Sequence, residues 1–144
     1  MTKGRRSPAV FFKFSSLFLA GGLVYGALEL LWRGRTHWSM LLAGGVCTVF
    51  LYLIAVKLGE PVWKKWIMGG AVITTVEFVT GILVNIVLGW HVWSYDGSWG
   101  NLFGQICLVF ALFWVLLSIP GVWLMQLVGR RVFREVIHGR RKKA

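Results

Sequence analysis

The residue with the strongest claim to a chemical role is a glutamate surrounded by apolar sequence. Glu77 falls near the middle of a long apolar run, where an unpaired carboxylate is costly enough that a functional role is the default interpretation. On a helix, Thr74, Gly81 and Asn85 share its face, because they stand three residues before it and four and eight residues after it. Two interpretations carry equal weight. Either Glu77 binds a ligand or a proton, or it is a protonated or hydrogen-bonded side chain that fixes helix packing.

A second acidic group, Glu29, lies near the end of another apolar run. Arg33 follows it by four residues, which is the spacing of an ion pair on one helix face. The two residues could form a ligand site, or they could be an ordinary ion pair whose side chains reach the membrane interface. The second interpretation is favoured, because long charged side chains near helix ends commonly extend to the headgroups.

Polar and aromatic residues are also concentrated in residues 91–101, between the third and fourth apolar runs. This segment contains Trp93, Asp96 and Asn101, and Gln105 is predicted to lie one helical turn into the run that follows. The candidate residues for ligand binding or proton coupling are Glu77, Glu29, Arg33, Asn85, Trp93, Asp96, Asn101 and Gln105.

Composition predicts the elements that must position these residues. Of the 144 residues, 57% are hydrophobic and 15% are charged, which excludes an ordinary soluble globule with about a quarter of its residues charged. Four charge-poor runs are each long enough to cross a hydrocarbon core of about 30 Å: residues 14–31, 38–56, 66–88 and 102–127. We therefore predict an all-α fold, a polytopic membrane helix bundle with four transmembrane helices. The predicted organisation is a basic flank over 1–13, a transmembrane domain over 14–128 and a basic tail over 129–144.

The distribution of charge predicts the orientation of the chain. There are 16 Lys and Arg against 5 Asp and Glu, a formal net charge of +11. If the chain crosses the membrane four times, Arg33 and Arg35 are the only cations on one side, and all the others fall on the opposite side. The positive-inside rule therefore predicts a cell-membrane protein with both termini in the cytoplasm.

This orientation places residues 91–101 on the outer side. We predict that Asp96, Asn101 and Gln105 lie above the outer ends of the helices, where Glu29, Arg33 and Asn85 are expected. These side chains would then form a polar pocket that opens outward, with Glu77 at its floor. The alternative is that residues 91–101 merely fold back onto the membrane interface.

The basic tail has a pattern of its own. Val132, Phe133, Val136 and Ile137 fall on one helical face, with cationic residues around them. This pattern predicts a short amphipathic C-terminal helix that binds anionic lipids of the inner leaflet. Nucleic acid is not a predicted partner, because no nucleic-acid-binding motif accompanies the charge.

Several chemistries have no signature in the sequence. A Walker A loop, an H-E-x-x-H motif and a G-x-S-x-G motif are all missing, so we predict no enzymatic activity and no cofactor. His37 has no second histidine or carboxylate at metal-ligand spacing, so no metal site is predicted. A lipid-modifying enzyme that uses Glu29, His37 and Asp96 is a weaker hypothesis that no spacing requires.

Three motifs resemble those of a known family. Glu77–Gly81 reads E-F-V-T-G, Trp93–Asp96 reads W-S-Y-D and Asn101–Cys107 reads N-L-F-G-Q-I-C. They resemble the E-[FY]-x-T-G, W-D-Y-S and N-x-x-G-x-[IV]-C motifs of the putative ABC-transporter type IV, or CmpB-like, family. In the second motif the acid and the hydroxyl are exchanged. The resemblance covers most of residues 20–120 and implies a permease-type component of a transporter.

The leading hypothesis is therefore a small multi-pass membrane protein that takes part in transport and binds a polar ligand from the outer side. Four helices enclose little space, so a homo-oligomer or partner membrane subunits are expected, with a separate ATPase as one candidate partner. The alternative is a non-transporting membrane scaffold or regulatory subunit. In that case its small-residue faces, at Gly22 and Gly26 and at Gly44 and Gly45, would bind partner helices.

Overall fold

A computed structural model describes residues 8–134 of the chain, and within that range the chain forms four α-helices. They are α1 (Pro8–Arg33), α2 (Trp38–Lys57), α3 (Val62–Gly81) and α4 (Leu108–Arg131). The end of α3 continues directly into a π-helical turn, Ile82–Val87. By length and composition, four helical segments are long and apolar enough to cross a membrane: α1, α2, α3 together with its π-helical turn, and α4. The prediction of an all-α membrane protein with four transmembrane helices is confirmed.

The helix boundaries differ from the predicted runs at one functionally important place. The fourth run was predicted to begin at residue 102, but α4 begins at Leu108. Leu102 instead pairs with Ile106 in an isolated antiparallel bridge, and both Phe103 and Gly104 have positive φ angles, of 51° and 66°. A right-handed helix cannot pass through these two residues. Residues 102–107 are apolar enough to resemble a transmembrane run but belong to a loop.

The predicted C-terminal helix is not evident in the part of the chain that the structure describes. Gly129–Arg131 is the last turn of α4, and the chain then leaves the helix, with Arg134 at a φ of 51°. Residues 135–144, together with residues 1–7 of the basic flank, lie outside the described residues. The predicted organisation into residues 1–13, 14–128 and 129–144 stays a prediction.

The chain divides into two compact units, Met1–Val49 and Phe50–Ala144, with the boundary inside α2. In the first unit, α1 packs closely against the first half of α2. A Cβ atom added at Gly45 would lie 2.7 Å from the carbonyl oxygen of Phe18, and one added at Gly22 would lie 2.5 Å from that of Leu41. These small residues therefore let the backbones of α1 and α2 approach closely.

The second unit contains the end of α2, all of α3 and α4, and the connection between them. The backbones of α3 and α4 come close where a Cβ atom at Gly70 would lie 2.7 Å from Cα of Val115. Beside this crossing, the fully buried hydroxyl of Ser118 donates a hydrogen bond to the carbonyl oxygen of Trp66, at 2.5 Å. This crossing fixes the separation of the two helices that carry the candidate site.

A buried lysine joins α3 to the end of α2. Lys65 is 1% exposed, and its ammonium group donates a hydrogen bond to the carbonyl oxygen of Ala55 at 3.0 Å. Ala55 lies in the last turn of α2, where carbonyl groups have no partner within the helix and the helix dipole favours a cation. Lys65 therefore has a structural role.

Candidate functional site

The carboxylate of Glu77 lies where α3, α4 and the loop between them meet. The side chain is 6% exposed. Its Oε1 accepts a hydrogen bond from the hydroxyl of Tyr95 at 2.7 Å, and its Oε2 accepts one from the indole N–H of Trp114 at 2.6 Å. Such short bonds are typical of donors that face an ionised group. One carboxylate therefore connects three segments of the chain, because Tyr95 belongs to the loop and Trp114 to α4.

Aromatic rings surround this contact. The ring of Phe110 lies 4.9 Å from that of Tyr95 and 6.3 Å from that of Trp114, measured between ring centroids. Phe113 is a further neighbour of Phe110, at 5.8 Å. The rings fill the space beside the carboxylate with apolar surface, which strengthens the hydrogen bonds to it by lowering the local dielectric constant.

A second polar cluster lies about two helical turns beyond Glu77, at the π-helical turn that continues α3. The side-chain amide of Asn85 donates a hydrogen bond to Oε1 of Gln105 at 2.7 Å, and Oδ1 of Asn85 accepts one from the backbone N–H of Val92, also at 2.7 Å. The indole of Trp93 donates to the carbonyl oxygen of Gln105 at 3.1 Å. Asn85, Gln105 and Trp93 are all buried. Their hydrogen bonds hold the loop against α3.

Gly81 makes room for this cluster. A Cβ atom at position 81 would lie 2.6 Å from Oε1 of Gln105 and 3.1 Å from Cζ2 of Trp93. The glycine stands four residues after Glu77, and Asn85 four residues after the glycine. The predicted shared face is confirmed for these three residues, which are all buried, whereas Thr74 is half-buried and donates its hydroxyl hydrogen to the carbonyl oxygen of Gly70.

We use the term α3–α4 loop for residues 88–107. Its last turn is shaped by Asn101, whose side chain donates to the carbonyl oxygen of Ser98 at 3.0 Å and accepts from the N–H of Gly104 at 3.3 Å. The N–H of Tyr95 donates to the carbonyl oxygen of Gly104 at 2.8 Å. Gln105 was predicted to lie one turn into the fourth helix, and this prediction was wrong because α4 begins three residues later. The residue lies in the loop.

The α3–α4 loop reaches far down α3. Glu77 is ten residues before Val87, the last residue of the π-helical turn, and at 1.5 Å per residue it lies about 15 Å below that end. Tyr95 contacts it at that depth. Non-helical backbone at membrane depth is tolerated only where it is buried in protein or lines a water-filled cavity. We call the loop re-entrant in the sense that it returns from the end of the π-helical turn toward the middle of α3, where the hydroxyl of Tyr95 reaches Glu77.

Asp96 lies on the exposed side of this loop. Its Oδ2 accepts a hydrogen bond from the hydroxyl of Ser94 at 2.6 Å, and its own N–H donates to the same hydroxyl oxygen at 3.1 Å. The exchange of acid and hydroxyl in the W-S-Y-D motif therefore involves two exposed positions that bond to each other across Tyr95. Asp96 does not join the buried cluster around Glu77.

Glu29 and Arg33 belong to the first unit, and the predicted ion pair forms. Nη1 of Arg33 lies 2.7 Å from Oε1 of Glu29. The other carboxylate oxygen accepts a hydrogen bond from the hydroxyl of Thr36 at 2.6 Å. Glu29 is 7% exposed. The carboxylate therefore joins the end of α1 to the short connection that precedes α2.

His37 has a role at the start of α2. Its Nδ1 lies 2.7 Å from the hydroxyl oxygen of Ser39 and accepts a hydrogen bond from the N–H of Ser39 at 3.3 Å. These contacts are those of a residue that caps a helix N-terminus. Among residues 8–134, no group of three or more His, Cys, Asp or Glu side chains is placed to hold a metal ion.

Sequence reasoning missed the two donors to Glu77. Tyr95 was noted only as part of a motif, and Trp114 was not considered. A signal for Trp114 existed, since it lies well inside an apolar run, whereas tryptophans that anchor a protein at the membrane interface lie near the ends of such runs. A buried indole N–H in an apolar setting needs an acceptor.

The fold and the site define a class: a polytopic helical membrane protein in which a re-entrant loop is fastened to a carboxylate in the middle of a helix. Within that class, the chain belongs to the putative ABC-transporter type IV family, whose sequence model matches residues 18–141. The resemblance based on the three motifs is confirmed, and Glu77, Asn101 and Gly104 all have defined places in the site. No curated protein and no solved structure shows significant similarity to the chain.

Proposed function

We propose that this chain is a membrane-embedded component of a transport system that binds a polar ligand from the outer side, with Glu77 as the central binding residue. The observation that carries the proposal is the hydrogen bond from the hydroxyl of Tyr95, in a re-entrant loop, to the buried carboxylate of Glu77. A ligand that offers its own hydrogen-bond donor to Oε1 would compete with Tyr95. Binding would then release Tyr95 and its part of the loop, whereas the hydrogen bonds of Asn85 would keep Val92 and Gln105 in place.

Two features of the site support this proposal. Non-helical backbone at membrane depth is a recurrent feature of substrate pathways in membrane proteins. A buried intramembrane carboxylate is costly and is a functional candidate by default. The cluster of Asn85, Gln105 and Trp93 uses its polar groups to hold the loop in place, so we assign these residues a positioning role and assign ligand contact to Glu77.

The proposed partners follow from the family and from the size of the chain. Membership in an ABC-transporter family points to membrane partners or an ATPase. The chain has no Walker A loop, so hydrolysis of ATP would be supplied by a separate subunit. We propose that a second copy or a partner membrane subunit completes the translocation path, and that the chain itself has no enzymatic activity.

The proposed orientation places both termini in the cytoplasm of a cell-membrane protein. In the second unit, the end of α2, the start of α3 and the end of α4 carry Lys57, Lys64, Lys65, Arg130 and Arg131. The α3–α4 loop, which connects the other ends of α3 and α4, carries Asp96. Cations favour the cytoplasmic side. There, the exposed members of this group would contact anionic lipid headgroups.

The scaffold alternative loses its main support in the structure. It requires small-residue faces that are open to partner helices, but Gly22, Gly26, Gly44 and Gly45 all pack against neighbouring residues of this chain. The glycines of α3 at its crossing with α4 are likewise occupied, by Ser118 and Val115. We therefore rank transport above a scaffold role.

Ligand binding can be tested by thermal unfolding of the protein in lipid nanodiscs. Arginine, spermidine, adenosine, glucose and glycine betaine would be added singly to the wild type, to Glu77→Gln and to the control Glu60→Gln, which removes an exposed carboxylate. A ligand of the native state raises Tm by mass action. We expect at least one solute to raise Tm in the wild type and the control but not in Glu77→Gln. A panel without effect, or an equal effect in Glu77→Gln, would contradict the proposal.

The orientation has its own test, with a membrane-impermeant maleimide applied to intact cells. Trp99 is 75% exposed on the α3–α4 loop, and Trp99→Cys should be labelled from outside. Lys57→Cys, at the end of α2, should be labelled only after permeabilisation. Labelling in the reverse pattern would show that the proposed orientation is wrong.

A further inference from the structure

The two oxygens of the Glu77 carboxylate face donors of different kinds. Oε2 faces the indole N–H of Trp114, a group that can donate a hydrogen bond but cannot accept one. Oε1 faces the hydroxyl of Tyr95, a group that can do either. The two sides of the carboxylate are therefore not equivalent toward a proton.

Protonation of each oxygen has a different consequence. A proton directed from Oε2 toward Trp114 would meet another hydrogen, and that contact would be lost. A proton on Oε1 can be donated to the oxygen of Tyr95, so that the same contact persists with its direction reversed. Oε2 meanwhile remains a carbonyl oxygen that accepts from Trp114. The neutral acid thus keeps both contacts only when the proton resides on Oε1.

We propose that Glu77 binds a proton on Oε1 and that this proton is exchanged through the hydroxyl of Tyr95. In the exchange, the hydroxyl proton of Tyr95 moves to Oε1 while its oxygen takes a proton from a hydronium ion, which leaves as water. The products are a neutral carboxylic acid, an intact phenol and one water molecule. Proton binding at this oxygen does not rest on the proposed function.

The groups around Glu77 favour this route. From the α3–α4 loop, Tyr95 is the titratable group in contact, and its neighbour Asp96 is turned to the exposed side with Ser94. From α4, the facing groups are Trp114 and the rings beside it, which do not titrate. On α3 itself, Lys64 and Lys65 are at the opposite end, about 18 Å away by helical rise. On α2, Tyr52 packs against Phe133, beyond the far end of α4.

The test is a carbon-13 NMR titration of the protein in nanodiscs without added solutes. The chain has only four glutamates (Glu29, Glu60, Glu77 and Glu135) and 3 tyrosines, so resonances of labelled glutamate carboxyl and tyrosine Cζ carbons can be assigned by single substitutions. As the pH is lowered, we expect the Glu77 carboxyl and Tyr95 Cζ resonances to shift together, with one common midpoint. In Glu77→Gln, the Tyr95 resonance should no longer move.

Two further variants keep the test decisive. Trp114→Phe removes the donor to Oε2, and we expect the Glu77 and Tyr95 resonances still to shift together. Glu60→Gln is a control that should leave both titrations unchanged. A Glu77 resonance that does not shift while the protein stays folded, or that shifts without Tyr95, would overturn the proposal. Proton binding without any effect of the solute panel would instead overturn the proposed function alone.

Discussion

Replacing Tyr95 by phenylalanine removes the hydroxyl that fastens the α3–α4 loop while leaving a ring that can stack on Phe110. A hydrogen bond to a charged group contributes about 1.5–3 kcal/mol, and one between neutral groups about 0.5–1.5 kcal/mol. The bond from Tyr95 to Oε1 of Glu77 is 2.7 Å long, and Glu77 is only 6% exposed. We therefore expect Tyr95→Phe to lower the free energy of unfolding by about 2 kcal/mol.

The same substitution should cost less when Glu77 is already glutamine. The amide of Glu77→Gln can accept from Trp114 with its oxygen and donate to Tyr95 with its nitrogen, so the hydroxyl then takes part only in a neutral hydrogen bond. In that background Tyr95→Phe should cost about 1 kcal/mol, which leaves a coupling energy of about 1 kcal/mol between the two positions. Such a value lies within the range measured for residues that are in contact.

The assay is the free energy of unfolding of the four proteins of this double-mutant cycle, measured by steric trapping in bicelles. Trp114→Phe is a useful second arm, because it removes the donor to the other oxygen of the same carboxylate. It should also couple to Glu77→Gln. A coupling energy indistinguishable from zero for Tyr95 and Glu77 would refute the reasoning, since it would show that the hydroxyl contributes nothing to holding the carboxylate.

Three further predictions use matched substitutions and the same measurement of unfolding free energy. Gly45→Ala should destabilise the protein by about 1–3 kcal/mol, because the added methyl group overpacks against Phe18. In the control Gly59→Ala, a Cβ atom would meet nothing within 4 Å, so the free energy of unfolding should change by less than about 0.5 kcal/mol. Equal effects would count against the close approach of α1 and α2. At Gly104 the φ angle is 66° and an added Cβ atom would contact the Asp96 carboxylate, so Gly104→Ala should disorder the loop. In the control Gly97→Ala, φ is 82° but the space is open, so the cost should be only about 1–2 kcal/mol of backbone strain. A larger loss of stability in Gly97→Ala than in Gly104→Ala would contradict this prediction. Lys65→Met should lower the free energy of unfolding by about 1–3 kcal/mol, because the carbonyl oxygen of Ala55 loses a charged donor. The control Lys64→Met removes an exposed ion pair with Glu60, which contributes at most about 1 kcal/mol. A smaller loss for Lys65→Met than for Lys64→Met would show that the buried charge of Lys65 is not stabilising.

Hydropathy and spacing predicted most of the fold. The four apolar runs correspond to the four helices in order, and the second predicted run, 38–56, differs from α2 by a single residue. The close packing at Gly22 and the ion pair of Glu29 with Arg33 follow from spacing along a helix. These features depend on local periodicity, which the sequence displays directly.

The start of α4 could not be predicted in this way. Hydropathy places Leu102, Phe103 and Ile106 in a membrane run, but the positive φ of Phe103 and of Gly104 turns the chain away from helix geometry. Hydropathy measures the cost of burial and carries no information on backbone torsion. The end of the α3–α4 loop, residues 102–107, contains Leu102, Phe103, Ile106 and Cys107, so hydropathy alone does not separate it from the helix that follows.

Only part of the site could be predicted, because contacts between distant residues leave no pattern along the sequence. Glu77, Asn85, Trp93 and Gln105 are all buried in the second unit, as expected of a polar cluster. However, Asp96 lies on the exposed side of the loop, and Glu29 with Arg33 makes a separate contact in the first unit. Pairings between distant residues, such as Glu77 with Trp114, depend on how α3 crosses α4, which no spacing along a single helix reveals.

The central claim is that the carboxylate of Glu77 holds the part of the α3–α4 loop around Tyr95 against α3. Hydrogen exchange of individual amides in nanodiscs tests it directly, by comparing wild type with Glu77→Gln. The informative amide is that of Tyr95, which bonds to Gly104 across the loop, and the control amides are those of Gly34 and Met40, which make comparable turn hydrogen bonds in the first unit. Loss of about 1 kcal/mol at the carboxylate should raise exchange at Tyr95 about fivefold and leave the two controls unchanged. Equal exchange at Tyr95 in the two proteins would contradict the account.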